Sequence, residues 1–153
     1  MKKPVENSRG GEASNAPAIR LSDVQEAAEL RRRLTRFLAH GDATVRRCGL
    51  TPQRYRLMLA VKGAPDGSEA RTVGGIAADL QLAQSSATEL VDRAEAAGLV
   101  VRTTSAHDGR VVTITLTEAG EARFLEAFAA LGGDRAELLG YLDHARRHLA
   151  REA

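Results

Sequence analysis

Between Thr72 and Leu116 the chain carries two short helical stretches, a break of a few residues between them, and two β-branched runs set around Asp108-Gly109. Few folds accept that order. "RTVGGIAADL" places Val73, Ile76, Ala77 and Leu80 at helical spacing, and "SATELVDRAEAAG" does the same with Ala87, Leu90, Val91 and Ala94. Each stretch therefore has one apolar face to bury. Val112, Ile114 and Leu116 alternate with period two, the pattern of a half-buried strand. Strands are expected at about residues 100–105 and 111–116, and Asp-Gly between them suits a two-residue hairpin turn. Two helices, a tight turn and a hairpin make a winged helix-turn-helix. In that arrangement the second helix can enter a DNA major groove and the hairpin can reach the neighbouring minor groove.

Helices are expected on both sides of this unit. From Ser22, read as an N-cap, apolar residues from Val24 to Cys48 recur at mostly helical spacing, and Gly41-Asp42 could kink or split that helix. A second helix starts at Thr51-Pro52 and ends at Gly63, as capping chemistry prefers. After the hairpin Thr117 can cap a fifth helix, "LGGD" breaks it, and Asp134 with Glu137 reads as a capping-box start for the last. The fold class is thus mainly α with a small β-hairpin wing (α+β). Residues 1–20 mix Pro, Gly, Ser and charge with no apolar period and read as a disordered basic and polar arm. Residues 21–153 read as a single domain, with the winged helix-turn-helix at about 51–117 and outer helices at about 21–48 and 118–151.

A chain of 153 residues fits one domain with a modest core. Aromatics make up only 3%, so that core must be mainly Leu, Val and Ala. The single Cys48 cannot form an intramolecular disulfide, and the chain opens without an apolar leader, so a cytoplasmic location is expected. No apolar run is long enough to span a bilayer, which argues against a membrane partner. The net charge of +2 is compatible with a nucleic-acid partner without demanding one. An enzyme finds little support. His144 and His148 lack the Glu of a zinc-protease motif, no phosphate-cradling Gly-rich loop follows a strand, and no nucleophile has an identifiable base. No catalytic residue, metal or cofactor is expected.

The stretch from Leu50 to Gly120, with "TVGGIAADLQLAQSSATELVDRAEAAGLV" followed by Asp108-x-Arg110 and "VTITLTEAG", resembles the MarR family of transcriptional regulators. The resemblance implies a homodimer whose N- and C-terminal dimerisation helices interlock, leaving two winged heads to read a pseudo-palindrome in double-stranded DNA, with repression as the default outcome. The outer helices independently call for a partner, since they carry more Leu, Phe and Val than one small winged head could cover. The resemblance also implies a small phenolic or aromatic carboxylate ligand in a cleft between dimer helices and head. Phe37, His40, Tyr55 and Met58 are its candidate lining residues, and Arg54 or Arg56 a candidate carboxylate partner. The alternative places Phe37 and Met58 in the core and His40 in solvent. Some members sense peroxide with a cysteine, but Cys48 falls on the apolar register near the end of its helix and reads as a packed thiol.

Winding the second helix of the pair at 100° per residue turns Ser85, Glu89 and Asp92 outward, with Ser86 and Thr88 flanking. Gln84, Ser85, Ser86 and Thr88 are therefore candidate DNA contacts, joined by Thr72 at the start of the first helix. Gln can pair with adenine, hydroxyls can meet bases or phosphates, and free N–H groups at a helix start favour an anion. Arg110 would project from the wing tip into a narrow minor groove, with Asp108 and Gly109 setting the turn. Some residues depart from the family pattern: Ala83 replaces a capping Ser, Gly75 an acidic residue and Glu89 a basic one. From Arg71 to Thr117 four arginines (Arg71, Arg93, Arg102, Arg110) face five acids (Asp79, Glu89, Asp92, Glu95, Asp108). That balance supports the competing reading, a winged-helix protein-interaction module without specific DNA binding.

Overall fold

The structure, a computed structural model, describes residues 19–104 and 111–152. Its elements are α1 (Leu21–Arg47), α2 (Pro52–Lys62), α3 (Val73–Leu80), α4 (Gln84–Ala96), β1 (Val100–Thr104), β2 (Val112–Leu116), α5 (Glu118–Ala130) and α6 (Gly132–Glu152). Residues 1–18 of the arm, and Asp108, Gly109 and Arg110 of the wing, lie outside the described residues.

The short helices begin where the sequence supplies caps. Thr51, Thr72 and Thr117 each turn a side-chain oxygen toward a backbone N–H three residues on, at 3.3, 3.0 and 2.9 Å. Such a cap satisfies a donor the helix cannot satisfy itself. Gly98 closes α4 at φ +70, and the Leu99 N–H reaches back to the Ala94 carbonyl at 3.0 Å. This is the helix stop that glycine makes inexpensive.

Two helix starts differ from expectation. α1 begins at Leu21, and Asp23 reaches back to accept the Arg20 backbone N–H at 3.3 Å, so Ser22 lies inside the helix and is not its cap. α6 begins at Gly132, directly after Leu131, which puts Asp134 in its first turn and frees that carboxylate for another partner. Nor does Gly41 break α1. The glycine faces the α5–α6 corner, where a Cβ would meet Leu131 Cδ2 at 3.7 Å, an ordinary contact. Its neighbour Asp42 accepts from Arg56 at 2.9 Å.

α2 is the hub, packing on α1, α3, α4, α5 and β2. Its Leu57, Met58 and Val61 are fully buried together with Ile76, Val91 and Ile114. Each such side chain contributes about 1.5–3 kcal/mol of burial. β1 and β2 pair antiparallel with Val100 opposite Leu116, Arg102 opposite Ile114 and Thr104 opposite Val112. Arg71 adds a bridge on the far side of Ile114. α1 packs along α6 while Leu38, Leu139 and Leu142 stay exposed. Among the described residues no helix is long and apolar enough to cross a membrane.

Candidate nucleic-acid interface

The turn between α3 and α4 is built on Gln81, whose φ of 54 lies in the left-handed region, with the Leu82 N–H bonded to the Ala77 carbonyl at 2.9 Å. It brings the starts of the two helices together. A Cβ on Gly74 would stand 3.7 Å from Gln84 Oε1 and 4.0 Å from Thr72 Oγ1, so these side chains flank one spot although twelve positions apart in sequence. Ser85 and Ser86 are exposed beside it. Ala83 provides no side-chain cap, leaving the first N–H groups of α4 open to an anion. Thr88 differs from these: its hydroxyl donates to the Gln84 carbonyl at 2.9 Å and is turned into its own helix. On the opposite face Ala87, Leu90, Val91 and Ala94 are buried.

The acids counted along the chain are mostly neutralised. Arg71 makes a two-pronged ion pair with Asp79, Nε to Oδ2 and Nη2 to Oδ1, both at 2.8 Å. Donation from that guanidinium holds the Asp79 carboxyl below its ordinary value. The same pair sits against Gly75: a Cβ there would come to 3.0 Å from Arg71 Cζ and Nε, so a side chain at 75 would make the guanidinium give by a few tenths of an ångström. Arg102 on β1 donates Nη2 to Asp92 Oδ1 at 2.5 Å and Nη1 to the Glu95 carboxylate. Only Glu89 remains exposed with no ion-pair partner among the described residues. A basic neighbour, Arg93, is also exposed and donates Nε to the Glu89 carbonyl at 3.2 Å.

Thr117 secures the base of the wing. Its N–H donates to the Leu99 carbonyl at 3.1 Å and its hydroxyl to the Gly98 carbonyl at 2.6 Å. The hairpin therefore leaves α4 and enters α5 through one fixed point. Its last described pair is Thr104 opposite Val112.

The four candidate ligand residues fall into two groups. Phe37 and His40 line an open cavity of about 380 Å³ between α1 and α6, with Arg33, Arg36, Asp134 and Leu138. Tyr55 and Met58 do not join them. Met58 is fully buried, and Tyr55 stacks on Phe124 with ring centroids 5.8 Å apart, its phenol pushed up by burial. Arg56 is engaged by Asp42 and Arg54 donates to the Arg93 carbonyl, so neither belongs to the cavity. Inside it His40 Nδ1 lies 2.6 Å from Asp134 Oδ2. Arg33 pairs with Glu29, whereas Arg36 has no ion-pair partner among the described residues. The spacing of Arg33, Arg36, Phe37 and His40 along one helix face was a visible signal; the identity of the facing helix was not. Cys48 is half-buried and packs against the core. Among the described residues no cluster of three or more His, Cys, Asp or Glu side chains is placed to hold a metal ion.

Two helices crossing at a tight turn, with a hairpin clamped behind the second, define a winged helix-turn-helix protein. The sequence model of the MarR family matches residues 49–111. Over those residues, less than half of its length, the chain is similar to the MarR family. Among characterised proteins it is similar to the HTH-type transcriptional repressor MdtR of Bacillus subtilis, 31% identical over 94 residues, covering 61% of this chain and 58% of that repressor. Less than two thirds of that relative is therefore spanned. Among solved structures it is similar to a MarR family protein from Bacillus stearothermophilus, at 29% identity and TM-score 0.65, covering 88% of this chain and 98% of that one. It is also similar to CouR from Rhodococcus jostii RHA1, solved bound to p-coumaroyl-CoA, at 26% identity and TM-score 0.66, covering 86% and 93%.

Proposed function

We propose that this chain is a DNA-binding transcriptional regulator, acting as a homodimeric repressor of a pseudo-palindromic operator. The observation that carries this reading is the convergence of Thr72, Gln84, Ser85 and Ser86 at two helix starts, on a head whose Asp79, Asp92 and Glu95 are held by Arg71 and Arg102. α4 enters the major groove, where Gln84 reads a base edge and Ser85 and Ser86 meet bases or phosphate. Thr72 approaches the backbone, and Thr88 adds its methyl face. Arg110, presented by the Asp108-Gly109 turn, reaches the minor groove. The name of the similar repressor MdtR supports repression. Exposed Leu38, Leu139 and Leu142 on α1 and α6 support a dimer, because apolar stripes of that length call for a partner.

The cavity between α1 and α6 suits an aromatic or phenolic acid. Its volume of about 380 Å³ falls in the range of small-molecule sites, Phe37 offers a ring and Arg36 a guanidinium with no ion-pair partner among the described residues. CouR, solved with p-coumaroyl-CoA, supports a ligand that carries a phenolic acyl group. Release from DNA requires that such a ligand bind one head spacing better than another.

The test is footprinting on DNA upstream of the chain's own operon at several salt concentrations, with and without aromatic acids. The expected result is two protected half-sites, affinity that falls as salt rises, and weaker protection with an effective acid. A stable protein complex with no retention of that DNA would instead favour an interaction module, the reading supported by Glu89, which has no ion-pair partner among the described residues.

A further inference from the structure

Arg71 and Arg102 belong to one row of the sheet. Arg102 stands opposite Ile114 across β1 and β2, and Ile114 bridges to Arg71 on its other side. Directly opposed residues point the same way, and Ile114 is fully buried, so both arginines leave the row toward the helices. Each takes a different helix of the head: Arg71 holds Asp79 on α3, and Arg102 holds Asp92 and Glu95 on α4. The Arg102 backbone N–H also donates to Glu95 Oε1 at 3.2 Å. The strand itself, and not only its side chain, is thereby tied to the last turn of α4.

We propose that Arg102 is a positioning residue for DNA binding: it sets the wing's angle to α4 and cancels two carboxylates beside the face that meets phosphate. The proposal rests on the DNA-binding reading above. Asp92 follows Ser85 and Glu89 along the same exposed stripe of α4, where an unpaired carboxylate would repel the duplex. One guanidinium holds both carboxylates through separate donors of a planar fork, which fixes their relative geometry more rigidly than the freely rotating donors of a lysine ammonium. The cluster is largely solvent-accessible, with Asp92 57% exposed, so it adds little to global stability. Its consequence is geometric. The wing reaches the minor groove while α4 occupies the major groove only if the angle between them is held.

Full-length R102Q and R102K variants test this. In hydrogen–deuterium exchange without DNA, R102Q speeds exchange across β1 and the end of α4 and leaves α1 and α6 unchanged. In hydroxyl-radical footprinting R102Q keeps the central protection from α4 and loses the outer protection from the wing. Its affinity falls roughly tenfold, the size of one placed contact, and falls most at low salt, where the freed carboxylates repel phosphate over the longest range. R102K recovers the low-salt part but not the outer protection. Unchanged exchange together with unchanged outer protection in R102Q overturns the proposal. Wild-type protein that protects no DNA at any salt overturns the DNA role and the regulator reading together, while the exchange measurement still decides whether Arg102 holds the wing.

Discussion

The carbonyl oxygen of Leu99 occupies the space in which a side chain at position 120 would begin, since a Cβ on Gly120 would stand 1.9 Å from it. α5 can start beneath the wing only because residue 120 has no side chain. Gly120→Ala must move either the first turn of α5 or the α4–β1 connection. The expected cost is about 1–3 kcal/mol, typical of overpacking against an unyielding wall. Urea unfolding at fixed protein concentration measures it, and an unchanged midpoint would show that the two segments yield easily.

Asp79 predicts a pH dependence. Its folded-state carboxyl is lowered from the ordinary 3.8, chiefly by the hydrogen bonds from Arg71. The stabilisation is complete above the unfolded value and is lost as pH falls through the lowered folded value. Asp79→Asn should melt below wild type at pH 7, with the gap closing toward pH 2. Thermal melts across that range check the sign, and parallel curves would remove Asp79 as a source of acid sensitivity.

Gln84→Ala should weaken operator binding by about 1–3 kcal/mol while leaving binding to unrelated DNA nearly unchanged, the behaviour of a base-reading contact. Fluorescence anisotropy with both duplexes separates the two. Equal losses on both would make Gln84 a backbone contact.

Arg110→Ala should leave the melting temperature within a degree or two of wild type and lower operator affinity by about 1–3 kcal/mol. Retained affinity in a filter-binding titration would reduce the Asp108-Gly109-Arg110 segment to a turn.

Leu139 is 64% exposed on α6 and Leu38 57% exposed on α1. Leu139→Glu should shift the chain from dimer to monomer in sedimentation velocity, because a carboxylate buried without a partner is costly. A dimer of undiminished strength would place the interface elsewhere.

Local chemistry made much of the head legible in sequence. The caps at Thr51, Thr72 and Thr117 and the buried faces of α3 and α4 depend on neighbours within about one helical turn. Local cues misplaced the starts of α1 and α6. Ser22 and Asp134 are good caps in isolation, but Asp23 bonds back to Arg20, and Asp134 pairs with His40 across 94 positions.

The periodicities, the break between α3 and α4 and the residue types offered at the α4 start follow from short-range backbone and side-chain preferences and can be read along the chain. Which charges cancel, which glycine admits a neighbouring backbone, and that Phe37 and His40 share a cavity apart from Tyr55 and Met58 emerge from long-range packing. Those outcomes depend on how helices and strands close around the buried face of α2. Packing there brings together groups whose sequence separation carries no sign that they will meet.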